Sequence, residues 1–270
     1  MNRIDQTLAR LKTEGLSGLA TYFTAGDPDF ETSLRLLRGL GEAGADLIEL
    51  GLPFSDPVAD GPTIQAAHIR ARQAGQTAAR TLALVSALRE TDAATPLVLM
   101  GYLNPVMQYG IERFMNDAAE AGVDGLLLVD LPIEHAEPFE AAAETAGLHL
   151  IRMTAPTSDD ARLARILKGA KGFVYHVTLT GTTGAASASA AKVGEALERL
   201  RRQGKIPVAA GFGIRTPEQV RELAGTAELI VVGSRLVEVL AAQGVEAALQ
   251  EVGRLSEPLG DLPLSLEASA

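Results

Sequence analysis

Apolar positions along the chain fall into short β-branched or Leu-rich runs, separated by longer stretches in which they recur at helical spacing. The runs cover residues 19–24, 46–50, 96–101, 125–129, 148–153, 172–177, 207–210 and 229–233. They are rich in β-branched residues or Leu and do not alternate with polar ones. Strands apolar on both faces belong to a parallel sheet covered by helices. Between them, residues 32–43, 77–89, 111–121, 135–146, 158–167, 191–202 and 217–223 carry amphipathic patterns that predict helices. Thr216-Pro217-Glu218 reads as an N-cap followed by proline at the first helical position. Gly44, Gly122, Gly147 and Gly204 fall where helix C-terminal turns are expected.

About eight such units predict an α/β fold: a (β/α)8 TIM barrel, a single domain over residues 1–270 with an extra polar helix near Met1 to Lys12. A doubly wound open sheet shares the local pattern. The count of eight and the glycine loops late in the chain favour closure. No linker divides the sequence, and the tail 257–270 is expected to fray.

Composition narrows the function. With 47% hydrophobic residues the core is large, yet no run reaches the roughly 18 apolar residues of a membrane helix. The first residues lack the apolar stretch of an export signal, so a cytoplasmic protein with no membrane partner is expected. Cys 0 removes disulfides, thiolate nucleophiles and thiolate metal sites. A net charge of -10 and Trp 0 argue against nucleic acid, though backbone N–H groups can still hold a small phosphate. His68, His135, His149 and His176 are scattered and read as surface or structural. No metal-ligand cluster is expected.

Chemistry concentrates after the second run. Asp46 can stand at its wet start, whereas Glu49 lies one residue from its end, where a barrel side chain points to the mouth. The following loop is stiffened by Pro and Gly and carries Asp56 and Asp60. Glu49 and Asp60 can converge on one ligand. The alternative is that Glu49 pairs with an arginine while Asp56 and Asp60 cap turns. At the other end of the chain, Gly211-Phe212-Gly213 and Gly233-Ser234 follow the last two strands. That is the usual phosphate site of such barrels, where glycine lets main-chain N–H groups approach an anion. Arg215 reads as a solvated helix side chain.

The segment Glu49-Leu-Gly-Leu-Pro-Phe-Ser-Asp56-Pro-Val-Ala-Asp60-Gly-Pro-Thr-Ile-Gln65 resembles the signature of the tryptophan synthase α chain family. The likeness covers nearly the whole chain. Thr24-Ala-Gly-Asp27-Pro28, Met100-Gly-Tyr102-Leu-Asn104-Pro105, Asp130-Leu-Pro132, Tyr175, Gly181-Thr-Thr183-Gly184, Gly211-Phe212-Gly213-Ile and Val232-Gly233-Ser234 follow in the family's order. Three positions depart from it: His135 where an acid is common, Leu179 where some members have arginine, and Tyr22 near a phenylalanine or proline of others.

The resemblance implies retro-aldol cleavage of indole-3-glycerol phosphate to indole and glyceraldehyde-3-phosphate, as part of tryptophan biosynthesis. It makes Glu49 the general acid/base and Asp60 its partner carboxylate. Tyr22, Ile64, Met100, Leu127, Tyr175, Thr183 and Phe212 are candidate substrate contacts, although the apolar ones could equally be barrel core. Gly184 joins Gly211, Gly213, Gly233 and Ser234 as the phosphate site. Residues 179–190, rich in Gly, Ala, Ser and Thr, read either as a closing lid or as a plain linker. A pyridoxal-phosphate β subunit in an α2β2 assembly is the implied partner, contacting Asp56, Asn104 and Pro105. This chain itself is expected to carry no cofactor. A free-standing lyase and a regulatory subunit of weak activity remain the alternatives.

Overall fold

The runs that lack alternation form strands covered on both faces. In the computed structural model β1 (Gly18–Thr24) is buried at all seven positions and β2 (Leu47–Gly51) at all five. The structure describes residues 1–177, 190–211 and 213–260. β3 (Leu97–Gly101), β4 (Gly125–Leu128), β5 (His149–Thr154), β6 (Val174–Val177), β7 (Val208–Gly211) and β8 (Leu229–Val232) complete the set. Each strand pairs in parallel with the next, and β8 pairs with β1, closing the barrel. The open-sheet alternative is thereby excluded.

The helices are α1 (Arg3–Glu14), α2 (Phe30–Leu40), α3 (Pro62–Gln73), α4 (Ala78–Arg89), α5 (Leu103–Tyr109) and α6 (Ile111–Ala121). The second half adds α7 (Glu137–Ala146), α8 (Asp160–Leu167), α9 (Ala190–Gln203), α10 (Pro217–Leu223), α11 (Ser234–Gln243) and α12 (Val245–Ser256). Period-two side-chain direction divides each strand between two packing clusters. Leu47, Val98, Leu127, Ile151, Phe173, Ala209 and Val231 fill the barrel interior. Their neighbours Ile48, Leu97, Leu99, Leu126, Leu128, Val208 and Ile230 face the helices.

The N-terminal end of the barrel is plugged. Ile4, Leu8 and Leu11 of α1 belong to the interior cluster. Arg3 of that helix bonds Asp124, which Arg89 also holds, at 2.9 and 3.0 Å. The C-terminal ends of the strands are left to the loops, and this is where the polar groups gather.

Local signals explain most boundaries. Thr216 makes a capping box with Gln219 and has Pro217 behind it, as its sequence predicts. Gly122 ends α6 at φ 97, in the left-handed region that glycine enters without cost. Asn104 and Pro105 lie inside a helix, α5; proline is tolerated there because a first-turn N–H lacks an intrahelical partner. Three expectations need correcting. Residues 133–135 form a separate 3-10 turn (Ile133–His135), and α7 starts at Glu137 with Pro138 in its first turn. α2 ends at Leu40 instead of residue 43, and Gly44, at φ 106, lies in the turn that follows it. The tail does not fray from Glu257, because Glu257–Leu259 forms a 3-10 turn with Pro258 and Leu259 buried. Its remainder, 261–270, lies outside the described residues.

Candidate active site

Strand register sets the first two groups. Tyr22 on β1 is paired with Glu49 on β2, which is paired in turn with Val98 on β3. Tyr22 and Glu49 therefore stand side by side near the barrel mouth. Glu49 is fully buried, and neither carboxyl oxygen has a hydrogen-bond partner among the described residues. The arginine partner of the alternative reading is absent there. An ionised carboxylate in such a place loses its hydration with nothing in return, so burial pushes the Glu49 pKa from 4.5 up to about 8. The group can hold and release a proton near neutrality.

Asp60 reaches the same region from the loop after β2. It is buried and accepts a hydrogen bond from the Tyr102 hydroxyl at 2.8 Å. That hydroxyl also accepts the Ala59 N–H at 3.0 Å, so one phenol holds both the carboxylate and the loop carrying it. Asp60 is not the cap of α3, whose N-cap is Gly61. Burial, then the field of Asp60, raises the Tyr102 pKa, keeping the phenol protonated as donor.

Glu49 and Asp60 share an environment. The Tyr175 phenol on β6 is raised well above its ordinary range by burial and then by Glu49 and Asp60. Burial and then Asp60, with a smaller contribution from Glu49, does the same to Tyr22. Two carboxyl groups that act on the same two phenols lie at one end of the barrel. The packing there is tight: a Cβ at Gly51 would overlap the Tyr22 hydroxyl and lie 2.8 Å from its Cζ. A Cβ at Gly211 would overlap the Tyr175 hydroxyl.

The other expected substrate contacts divide. Leu127 is fully buried in the interior cluster, with Met100 and Tyr175 packed against it. Ile64 sits in the first turn of α3, in the outer cluster that also contains Tyr22. Thr183, Gly184 and Phe212, with nearly all of the 179–190 segment, lie outside the described residues. A cavity of about 550 Å³ opens beside the ends of β4 and β5, with Asp130, Arg152, Thr154 and Ser158 in its wall. Neither carboxylate lines it. The two buried acids lie apart from this space, and burial raises the proton affinity of Glu49.

The expected phosphate groups lie after β7 and β8. Gly211 ends β7, Gly213 has φ 64, and Gly233 is the N-cap of α11, which starts at Ser234. The first N–H groups of that helix have no carbonyl within it to bond, and its dipole favours an anion. Arg215 is not simply solvated; it is paired with Glu238 of α11. Asp56 and Asn104 are exposed and Pro105 partly so.

Sequence reasoning missed two groups around Asp60. Tyr102 is one residue past the end of β3, a rim position equivalent to those already considered. His68 is buried, which fits the structural of its two readings and not the surface one, with Nε2 3.4 Å from Asp60 Oδ2. The signal was present: Ile64, Ala67, His68 and Ala71 form the buried stripe of α3.

Comparison with known proteins gives a consistent answer. A family model described as tryptophan synthase alpha chain matches residues 8–262. The chain is similar to a tryptophan synthase alpha chain from Legionella pneumophila subsp. pneumophila at 37% identity and TM-score 0.88, covering 97% of this chain and 98% of that one. A tryptophan synthase subunit alpha from Legionella pneumophila str. Paris shows 36% identity and TM-score 0.90, covering 97% of this chain and 100% of that one. A chain of Mycobacterium tuberculosis tryptophan synthase shows 34% identity and TM-score 0.89, covering 96% of this chain and 98% of that one.

Proposed function

The chain belongs to the tryptophan synthase alpha chain family, and on that premise we propose that it cleaves indole-3-glycerol phosphate to indole and glyceraldehyde-3-phosphate, with Glu49 as the proton carrier. The observation that carries the reading is a fully buried Glu49, without a hydrogen-bond partner among the described residues and with its pKa near 8, at the same end of the barrel as a second buried carboxylate held by Tyr102.

The reaction is a retro-aldol and needs two proton movements. Protonated Glu49 gives its proton to C3 of the indole ring, which places positive charge on the ring nitrogen. Asp60 accepts a hydrogen bond from the ring N–H and stabilises that charge. Glu49, now a carboxylate, takes the proton of the hydroxyl on the adjacent chain carbon. That carbon becomes the aldehyde carbonyl, the bond to C3 breaks, and its electron pair returns to the ring. Indole leaves and Glu49 is protonated again, ready for the next cycle.

The phosphate is assigned to main-chain N–H groups at Gly213, Gly233 and Ser234, with Gly184 and Gly211 completing the site. Anchoring a non-reacting part of the substrate is a standard source of orientation. Tyr22, Ile64, Met100, Leu127, Tyr175, Thr183 and Phe212 are assigned to the indole ring and chain. No cofactor on this chain is required by these steps. We assign the exposed Asp56 and Asn104, with Pro105, to contact with a pyridoxal-phosphate β subunit that receives indole in an α2β2 assembly.

The test is indole release from indole-3-glycerol phosphate by the purified chain, with and without a β subunit. Release by the wild type and none by Glu49→Gln, with the fold retained, is expected. Full activity in Glu49→Gln would remove that residue from the mechanism. Strong activity indifferent to any β subunit would favour a free-standing lyase.

A further inference from the structure

We propose that His68 is a positioning residue for Asp60, its imidazole fixed by the Phe54 amide so that Nε2–H faces the carboxylate. The inference rests on Asp60 being the group that receives the indole N–H.

Helix α3 starts two residues after Asp60 and buries the stripe containing His68. Side chains on a helix lean toward its N-terminus, so His68 reaches back over the first turn toward the loop it follows. Its side chain is only 3% exposed. The Phe54 N–H donates to its Nδ1 at 3.1 Å. A backbone N–H can only donate, so Nδ1 carries the lone pair and the proton resides on Nε2. That Nε2–H lies 3.4 Å from Asp60 Oδ2 and has no hydrogen-bond partner among the described residues.

A buried donor held just short of a carboxylate has one partner it can close onto. At 3.4 Å the contact is longer than a formed N–H···O bond, and contacts of this kind tighten in the substrate complex. Tyr102 already donates to the same Oδ2 at 2.8 Å. With two donors directed at Oδ2, the geometry assigns Oδ1 to the ring N–H of the substrate.

The surroundings keep this arrangement stiff. The rings of Phe54 and Tyr102 pack with centroids 5.1 Å apart. Two residues beyond His68, Arg70 binds both oxygens of the buried Asp27 at 2.7 Å, tying α3 to the loop after β1. Phe54, His68, Asp60 and Tyr102 thus form a closed circuit between the loop after β2, α3 and the end of β3.

Two substitutions separate the two contacts of the imidazole. In His68→Gln the amide nitrogen can take the place of Nε2, whereas in His68→Asn the side chain can still accept from Phe54 but falls short of Asp60. Steady-state indole release is measured for the full chain and both variants, with thermal melts as a check on folding. His68→Gln should keep kcat within about 3-fold, and His68→Asn should lose about 10- to 100-fold in kcat, with KM for indole-3-glycerol phosphate little changed in either.

Equal kcat in the two variants, or a loss confined to KM, overturns the proposal. Independently of any variant, long-range 1H–15N NMR of the wild-type imidazole should show the Nε2–H tautomer; the Nδ1–H tautomer overturns it too. A wild type that folds but releases no indole is a different result, and it removes the proposed function first.

Discussion

The Tyr102 hydroxyl and the Asp60 carboxylate meet at 2.8 Å across a sequence separation of 42 residues. The end of β3 thereby fixes a group delivered by the loop after β2. Tyr102→Phe removes this donor and leaves the Ala59 N–H without its acceptor. The expected outcome is a loss of about 10-fold or more in kcat for indole release, with KM changed much less. Kinetics indistinguishable from wild type would show that Asp60 holds its place without the phenol.

In the proposed reaction the buried Glu49 sets the pH dependence of catalysis. Its pKa near 8 means that the free chain carries the C3 proton donor in its acid form below that value. The profile of kcat/KM against pH should therefore have a limb near pH 8, with activity falling above it. A profile flat between pH 6 and about 9.5, or one that rises through that range, would contradict the assignment.

The same shift makes a stability statement. The folded pKa of Glu49, about 8, is raised above the ordinary 4.5, so between these values the native chain binds more protons than the unfolded one. Stability should fall as pH rises through that window, by no more than about 5 kcal/mol from this group. Glu49→Gln cannot ionise, so it should be more stable than wild type at pH 8.5 and nearly equal to it at pH 5. Denaturant melts at the two pH values measure the difference. Parallel pH dependence in both proteins would mean that Glu49 is not the group responsible.

At the opposite end of the barrel, Asp124 is buried between Arg3 and Arg89 and also accepts the Leu97 N–H at 2.9 Å. Asp124→Ala leaves the buried Leu97 N–H without its acceptor and removes the counter-charge of two arginines, of which Arg89 keeps only its bonds to the Gly122, Asp92 and Thr95 carbonyls. A loss of about 3–5 kcal/mol is expected, measured by urea unfolding. Protein that remains folded should keep its kcat, because no group at the mouth is touched.

Much of the fold follows from local rules. Apolar runs and helical spacing are properties of neighbours in sequence, so the strands and most of the expected helices fall within a few residues of their expected places, while α3, α11 and α12 carried no such expectation. Proline and capping signals refine the helix ends, as at Thr216 and Pro217. The segment from Glu49 to Asp60 was readable for a related reason. An acid inside an apolar strand, followed by a stiff loop carrying more acids, is unusual enough to mark itself. The helix α5 and the ordered turn at Glu257–Leu259 were less readable, since both depend on packing against distant elements.

Sequence alone therefore determined the order of the elements and the presence of two candidate acids near the ends of one strand and its loop. It could not determine their surroundings. The proton affinity of Glu49 comes from burial, and its neighbours include Tyr22 on β1 and Tyr175 on β6, brought together only when the barrel closes. The hold on Asp60 likewise comes from Tyr102 beyond β3, with the His68 imidazole on α3 standing 3.4 Å from the same carboxylate. Secondary structure reflects short-range periodicity, whereas desolvation and hydrogen-bond geometry depend on which distant side chains share a space. Only the closed barrel decides that.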